Sequence, residues 1–292
     1  MKLDKCKFIA IDEIDDIYNS DEPNLRKLLE IVNKEPNTNL ISCSATMEKK
    51  FLEFYRSIDE DFITLNLNQK LKEELGQNIT IEGVKNYYKS IKHEDSKAEI
   101  YDYILKNLFK ELFGDSNKMK PQIFMFFNSI QDIANFQNRF DALASDFTIE
   151  ESKYLEGVSR AAIAASVYKA GEKVPLKYTE REEIILKFRN KETNILMCTN
   201  IMARGVDIRN AVFVINVGCP KDNDNIDVDI YLHRVGRTGR HNDKGVALTL
   251  GDEKEIEKMV DQVKKIHKIE IHELDSEAKI VEEVYQCIKN NE

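Results

Sequence analysis

The chain is predicted to be an α/β protein whose parallel sheets are covered by helices on both faces. Three observations predict this. Short apolar runs, each of strand length, recur along the 292 residues. Segments with apolar residues at three- and four-residue steps alternate with them, the pattern of helices crossing over between parallel strands. The run 8–11 stops abruptly at Asp12 and Glu13, as a buried strand does where its carboxyl end opens on a crevice.

Taken in order, the first strand is expected at 8–11 with a helix at 24–33, and the second strand at 40–43 with a helix at 48–57. From 66 to 80 the sequence is polar, glycine-marked and weakly patterned, which marks an interdomain linker. We therefore divide the chain into a first domain at 1–66, a linker at 67–79 and a second domain at 80–292. The second domain is expected to carry strands at 84–88, 123–127, 167–168, 195–198, 212–216 and 246–250. Its clearest helices are expected at 98–113 and 180–189. No repeat of solenoid period is present.

Composition narrows the function. With 42% hydrophobic and 33% charged residues, the chain can bury one full α/β core and part of a second. Its apolar runs are too short for a membrane span, and the first residues lack the uninterrupted apolar region of a signal peptide. Cys6, Cys43, Cys198, Cys219 and Cys287 show no C-x-x-C spacing and read as reduced thiols, not metal ligands or disulfides. Of the five histidines only His233 lies in a motif. The net charge of −9 excludes a broad basic surface, so any grip on nucleic acid must be local.

Residues 231–240 read Tyr-Leu-His-Arg-Val-Gly-Arg-Thr-Gly-Arg. Arg234, Arg237 and Arg240 recur at every third position around two glycines, so the backbone can turn while planar, permanently charged forks converge. That suits phosphate, although an Arg-rich turn can also be a plain solvated surface. At the end of the first strand, one of the carboxylates Asp12 and Glu13 can hold magnesium while the other orients or deprotonates a water; acidic strand ends also occur as simple loop residues. Ser44-Ala45-Thr46 follows the second strand, where small hydroxyls serve equally well as helix N-caps.

In this order, DEID at 12–15, SAT at 44–46, TNIMARGVDI at 199–208 and HRVGRTGR at 233–240 resemble the motifs of the DEAD-box RNA helicases. IFMFFNS at 123–129 resembles the family's fourth motif, with Asn-Ser where Asn-Thr is familiar. The resemblance spans nearly the whole chain. It implies RecA-like parallel-sheet domains, one complete and C-terminal and one partial and N-terminal, with ATP and magnesium as cofactors and single-stranded or duplex RNA as partner. It further implies that Asp12 holds magnesium through water, that Glu13 positions or deprotonates the attacking water, and that Asp15 contacts facing motifs. Ser44, Thr46, His233 and Arg234 would couple the domains. Asp207, with Gly205 beside it, would bind the nucleotide through its ribose, and Arg237 and Arg240 would reach the γ-phosphate as arginine fingers. Asn128, Ser129, Thr199 and Gly205 would lie near RNA phosphates, joined by Arg181 from the family's Q-x-x-R motif. Tyr178 takes the glutamine position of that motif. Two more departures are Ile14 for alanine in DEAD and Gly218 where aspartate is frequent.

A finer resemblance is to the branch that serves messenger-RNA export at the nuclear pore. Between Pro220 and Tyr231 the chain carries an Asn/Asp-rich insertion like that branch's, and its tail from Lys268 is similar too. This implies nuclear-pore export regulators as partners, a cytoplasmic or nuclear location including the pore, and a monomer. No Gly-Lys-(Ser/Thr) phosphate loop occurs in the 292 residues. The chain is therefore expected to begin inside the first domain and to be inactive as an ATPase by itself. The alternative function is a truncated, non-catalytic module that binds RNA or a helicase regulator. Residues 146–166, including the alanine-rich 161–165, look inserted relative to the family.

Overall fold

The computed structural model describes residues 6–44, 49–65, 83–91, 96–115, 118–144, 161–163, 166–169, 172–175, 178–200, 211–222, 224–239 and 243–291. The chain divides into two compact units, Met1–Lys70 and Leu71–Glu292.

In the first unit β1 (Phe8–Ile11) and β2 (Asn39–Ser42) pair in parallel, with Ile11 opposite Ser42. Helices α1 (Ile14–Asn33) and α2 (Lys49–Arg56) supply the rest of a small core of Ile11, Ile14, Leu25, Leu29, Phe51, Phe54 and Tyr55. Ile9 and Leu40 pack against that core, whereas Phe8 and Ile41, on the other face of the strands, are 66% and 55% exposed. Helix α1 starts ten residues before the expected helix at 24–33 and is kinked at Asp21 (φ −153°, ψ 56°). The kink has a cause: Pro23 has no N–H to give the helical ladder.

The second unit is built on seven strands in the order β13-β3-β12-β9-β4-β8-β5, every neighbouring pair parallel. They are β3 (Val84–Ser90), β4 (Ile123–Phe127), β5 (Ala161–Ile163), β8 (Ile195–Cys198), β9 (Phe213–Val217), β12 (Gly245–Gly251) and β13 (His272–Glu273). Side chains alternate between the faces. Ile123, Met125 and Phe127 face a core shared with α3 (Ser96–Tyr103), α4 (Phe109–Phe113), α5 (Ile130–Ala144) and α9 (Glu277–Asn291). Phe124 and Phe126 face a second core, shared with α6 (Tyr178–Arg189), α7 (Val228–Val235) and α8 (Glu253–His267). The sheet is thus covered on both sides, as expected.

Two sequence expectations need correction. The helix expected at 98–113 is interrupted by a π-helical turn, Ile104–Leu108, whose extra residue shifts the apolar phase so that Ile104, Leu105, Leu108 and Phe109 are all buried. The strand expected at 167–168 is not in the main sheet: β6 (Ser166–Lys169) pairs antiparallel with β7 (Glu172–Pro175) in a separate hairpin. Within the segment that looks inserted, Ala161–Ile163 forms β5 beside Ile195–Met197 of β8. The linker at 67–79 and residues 146–160 lie outside the described residues.

Candidate functional site

The carboxylates of the first unit lie where β1 turns into α1. Asp12 is exposed just beyond the strand, and its Oδ1 accepts the Glu13 N–H at 2.9 Å. Glu13 has a left-handed backbone (φ 49°, ψ 43°), a conformation that costs an L side chain about 1–2 kcal/mol. Such strain persists only where the neighbours enforce it. They do so through Ile14, whose N–H donates to the Cys43 carbonyl at 3.1 Å and whose side chain is 1% exposed in the core. The Cys43 N–H in turn donates to the Ile11 carbonyl at 2.8 Å. The chain leaving β2 therefore clasps the chain leaving β1 and brings half-buried Ser44 to the same strand ends as Asp12 and Glu13. Asp15 is buried, at 6% exposure, on the first turn of α1. Thr46 lies outside the described residues.

In the second unit one side chain joins the loops at the carboxyl ends of β4, β8 and β9. Helix α7, which carries it, starts at Asp227, whose carboxylate accepts the Asp229 and Ile230 amides at 2.9 Å each. Tyr231 fixes the helix to the sheet by donating to Asn86 Oδ1 at 3.0 Å. Arg234, fully buried, then donates from Nε to Asn200 Oδ1 and from Nη2 to Asn128 Oδ1, both at 2.8 Å, with a longer contact to the Phe127 carbonyl. Asn128 completes the connection by donating to the Cys219 carbonyl at 2.9 Å. The guanidinium also lies 5.5 Å from the Phe126 ring centroid. Burial pushes Arg234 down to about 10, so it remains a cation at neutral pH. The nearby thiols of Cys198 and Cys219 are neutral there, because burial raises both, Cys219 to about 12.

Arg237 follows one turn later, 7% exposed, with Nε donating to the His233 carbonyl at 3.2 Å. The turn after it is pinned twice. Thr238 donates to the Ala211 carbonyl at 2.8 Å. Gly239 has φ +67°, and a Cβ there would collide with Val84 Cγ2, so glycine is required.

Among the expected site residues, the structure brings Asn128, Arg234 and Arg237 together at one end of the sheet, with buried Thr199 next to Asn200. Ser129 is close by, but its hydroxyl caps α5: it donates to Asp132 Oδ2 at 2.8 Å and accepts the Asp132 N–H at 3.1 Å. Arg234, which the resemblance gives a part in coupling the domains, is enclosed in the second unit, where it holds these loops. Gly205, Asp207 and Arg240 lie outside the described residues, as does the side chain of Arg181 on α6. Gly218 has φ +88°, and a Cβ would stand 3.1 Å from Asn128 Nδ2, which accounts for glycine at a position where the family often has aspartate. Sequence reasoning gave Asn200 no role. It also passed over Asn216, fully buried on β9 and donating to Thr249 Oγ1 at 3.0 Å; the available signal was a lone asparagine inside the apolar run 212–217.

Residues 103–242 match the family described as the helicase conserved C-terminal domain. The chain is 27% identical over 265 residues to the ATP-dependent RNA helicase eIF4A of Eremothecium gossypii, an alignment covering 88% of this chain and 55% of that protein. It is 25% identical over 270 residues to the ATP-dependent RNA helicase FAL1 of Candida glabrata, covering 91% and 55%. The chain thus spans little more than half the length of these relatives. Its fold is similar to that of S. cerevisiae Dbp5 bound to RNA and ADP BeF3, with a TM-score of 0.69 at 22% identity, covering 99% of this chain and 65% of that one.

Proposed function

We propose that this chain, a relative of the DEAD-box RNA helicases with a helicase conserved C-terminal domain at 103–242, is the C-terminal portion of an ATP-dependent helicase that acts on RNA duplexes or RNA–protein complexes. One observation carries the reading: a buried arginine ties three strand-end loops to the helix and turn that bear Arg237, at the edge where parallel α/β sheets bind ligands. In this reading Arg237 and Arg240 stabilise charge developing on the γ-phosphate, Asp207 and Gly205 hold the nucleotide, and Glu13 orients or deprotonates the attacking water. Magnesium, when bound, offsets phosphate charge. Asp12 fits it, being an exposed carboxylate of the hard oxygen type. His233, Ser44, Thr46 and Asp15 couple the domains. RNA phosphates run along Asn128, Ser129, Thr199, Gly205 and Arg181, and Ser129 contributes through its backbone because its hydroxyl caps a helix.

The finer reading is a role in messenger-RNA export, at the nuclear pore. Its support is the Asn/Asp-rich insertion, which forms a hairpin of β10 (Lys221–Asp222) and β11 (Asn225–Ile226) tied to α8 by Lys221 and Glu255 at 2.6 Å. Solved structures of similar fold show S. cerevisiae Dbp5 bound to gle1 and IP6, and to nup159, gle1, IP6 and ADP. Corresponding regulators are the partners we assign, with the chain acting as a monomer. Among the described residues no helix is long and apolar enough to cross a membrane.

Anisotropy of a fluorescein-labelled single-stranded oligouridine titrated with residues 1–292 tests the RNA side of the reading. Saturable binding is expected, with a shallow salt dependence of about −0.7 per neutralised phosphate in the log–log slope. No saturable binding even at low salt would remove the reading.

A further inference from the structure

We propose that Asn291, at the end of α9, is a positioning residue: its carboxamide clasps the backbone at Lys244 and so fixes the far end of the short segment in which Arg240 lies. This rests on the helicase reading above, which gives Arg240 its part in ATP turnover.

Residues 239–244 lie between two fixed points that touch. Thr238 is held by its bond to the Ala211 carbonyl, and Gly245 by donating its N–H to the Gly83 carbonyl at 2.9 Å. A Cβ on Gly245 would collide with the Thr238 side chain, so the two points are in direct contact. Just before the second point the backbone of Lys244 is paired twice: its N–H donates to Asn291 Oδ1 at 2.8 Å, and its carbonyl accepts from Asn291 Nδ2 at 2.9 Å. The carboxamide thus stands in for a neighbouring strand and prolongs the hydrogen bonding of β12 by one residue. A shorter free stretch around Arg240 has fewer conformations to lose when the arginine meets a phosphate. Asn291 reaches Lys244 because α9 is docked by other means. Ile280, Val281 and Val284 are buried in the core. Glu283 accepts from the Tyr87 hydroxyl at 2.8 Å and pairs with Lys85 at 3.0 Å, and Tyr285 donates to the Leu112 carbonyl at 2.8 Å. Positions 283, 287 and 291 share one face of the helix, which runs from the start of β3 at Lys85 to the residue preceding β12. A carboxamide offers an acceptor and a donor side by side, whereas a carboxylate would face the Lys244 carbonyl with a second acceptor.

The test compares the native protein with Asn291→Ala and Glu283→Gln in two measurements. In hydrogen exchange on residues 1–292, Asn291→Ala should speed the Lys244 amide about tenfold, the loss of two neutral hydrogen bonds, while 246–251 and 277–287 keep their native rates. Glu283→Gln weakens the docking of α9 but leaves the clasp in place, and should instead speed exchange in 277–289. The second measurement is ATP turnover in a protein that joins this chain to a Gly-Lys-(Ser/Thr) phosphate loop. There Asn291→Ala should lower kcat about tenfold, with KM for ATP and RNA affinity unchanged, because a misplaced Arg240 loses contacts made only in the transition state. Glu283→Gln should leave kcat at its native value. Native exchange at Lys244 in Asn291→Ala, or faster exchange there with kcat unchanged, would overturn the proposal. So would an equal loss of kcat in Glu283→Gln, which would make Asn291 one more anchor of α9. If the native protein shows no RNA-stimulated turnover, the helicase reading is lost and the role of Asn291 with it, whereas exchange at Lys244 still decides whether the clasp exists.

Discussion

Ile14 stands where the DEAD motif has alanine, and reverting it is predicted to weaken the first unit without altering the placement of Glu13. The side chain is 1% exposed and packs with Ile11, Leu25, Leu29, Phe51, Phe54 and Tyr55. Ile14→Ala deletes most of it from a core of seven buried residues on a two-stranded sheet. Removing a buried isoleucine costs about 2–5 kcal/mol, and the lower end applies where the surroundings can collapse. Even about 2 kcal/mol is a large share of a domain's stability. The Ile14 N–H bond to Cys43 survives the change, so the left-handed turn at Glu13 should persist in the folded form. Hydrogen exchange is the assay: peptides from 8–33 and 39–56 should exchange at least about tenfold faster, with 195–198 and 245–251 unchanged. Native exchange rates in 8–33 would refute the reasoning, because the buried Ile14 side chain would then contribute nothing to the stability of this unit.

Three further outcomes are expected. Thr249→Val, which strips the buried Asn216 amide of its acceptor, should cost about 1–3 kcal/mol in urea unfolding, and adding Asn216→Val should recover most of it because both polar groups are then gone. His267 at the end of α8 is held below its usual value by burial, more than Asp229, 3.6 Å away, raises it. The folded state then binds fewer protons than the unfolded one below the ordinary value of 6.5, so stability is complete above that pH and is lost as pH falls through the lowered folded value; the thermal midpoint should drop from pH 7.5 to 5.5, less so in His267→Gln. Finally, residues 1–292 alone should turn over ATP more slowly than about 0.1 per second with magnesium and RNA, because no Gly-Lys-(Ser/Thr) loop in them positions the triphosphate. Faster turnover would show that the phosphate is positioned by other groups.

Strands buried on both faces were the most legible part of the fold. The runs 123–127 and 195–198 coincide with Ile123–Phe127 and Ile195–Cys198, since such a strand is apolar throughout. The first half of α1 was not legible: residues 15–23 are mostly Asp, Asn, Ser and Pro, which locally favour turns, and tertiary packing of Ile14 and Tyr18 overrides them. Three alanine-rich residues completing the sheet edge at β5 carry no strand signal of their own. At the site, candidate residues can be named from sequence because each motif is contiguous. The connection through Arg234 cannot be read there, because Asn128, Asn200 and Arg234 meet only after the sheet has ordered their strands, and Ser129 reads the same in sequence whether its hydroxyl faces RNA or caps a helix.

The proposal that these motif residues serve RNA-dependent ATP hydrolysis is tested most directly in a protein that joins them to a Gly-Lys-(Ser/Thr) phosphate loop, by measuring ATP turnover with and without single-stranded RNA, before and after Glu13→Gln. Turnover stimulated by RNA is expected before the substitution, and loss of turnover with RNA binding retained after it. RNA-stimulated turnover unchanged by Glu13→Gln would contradict it.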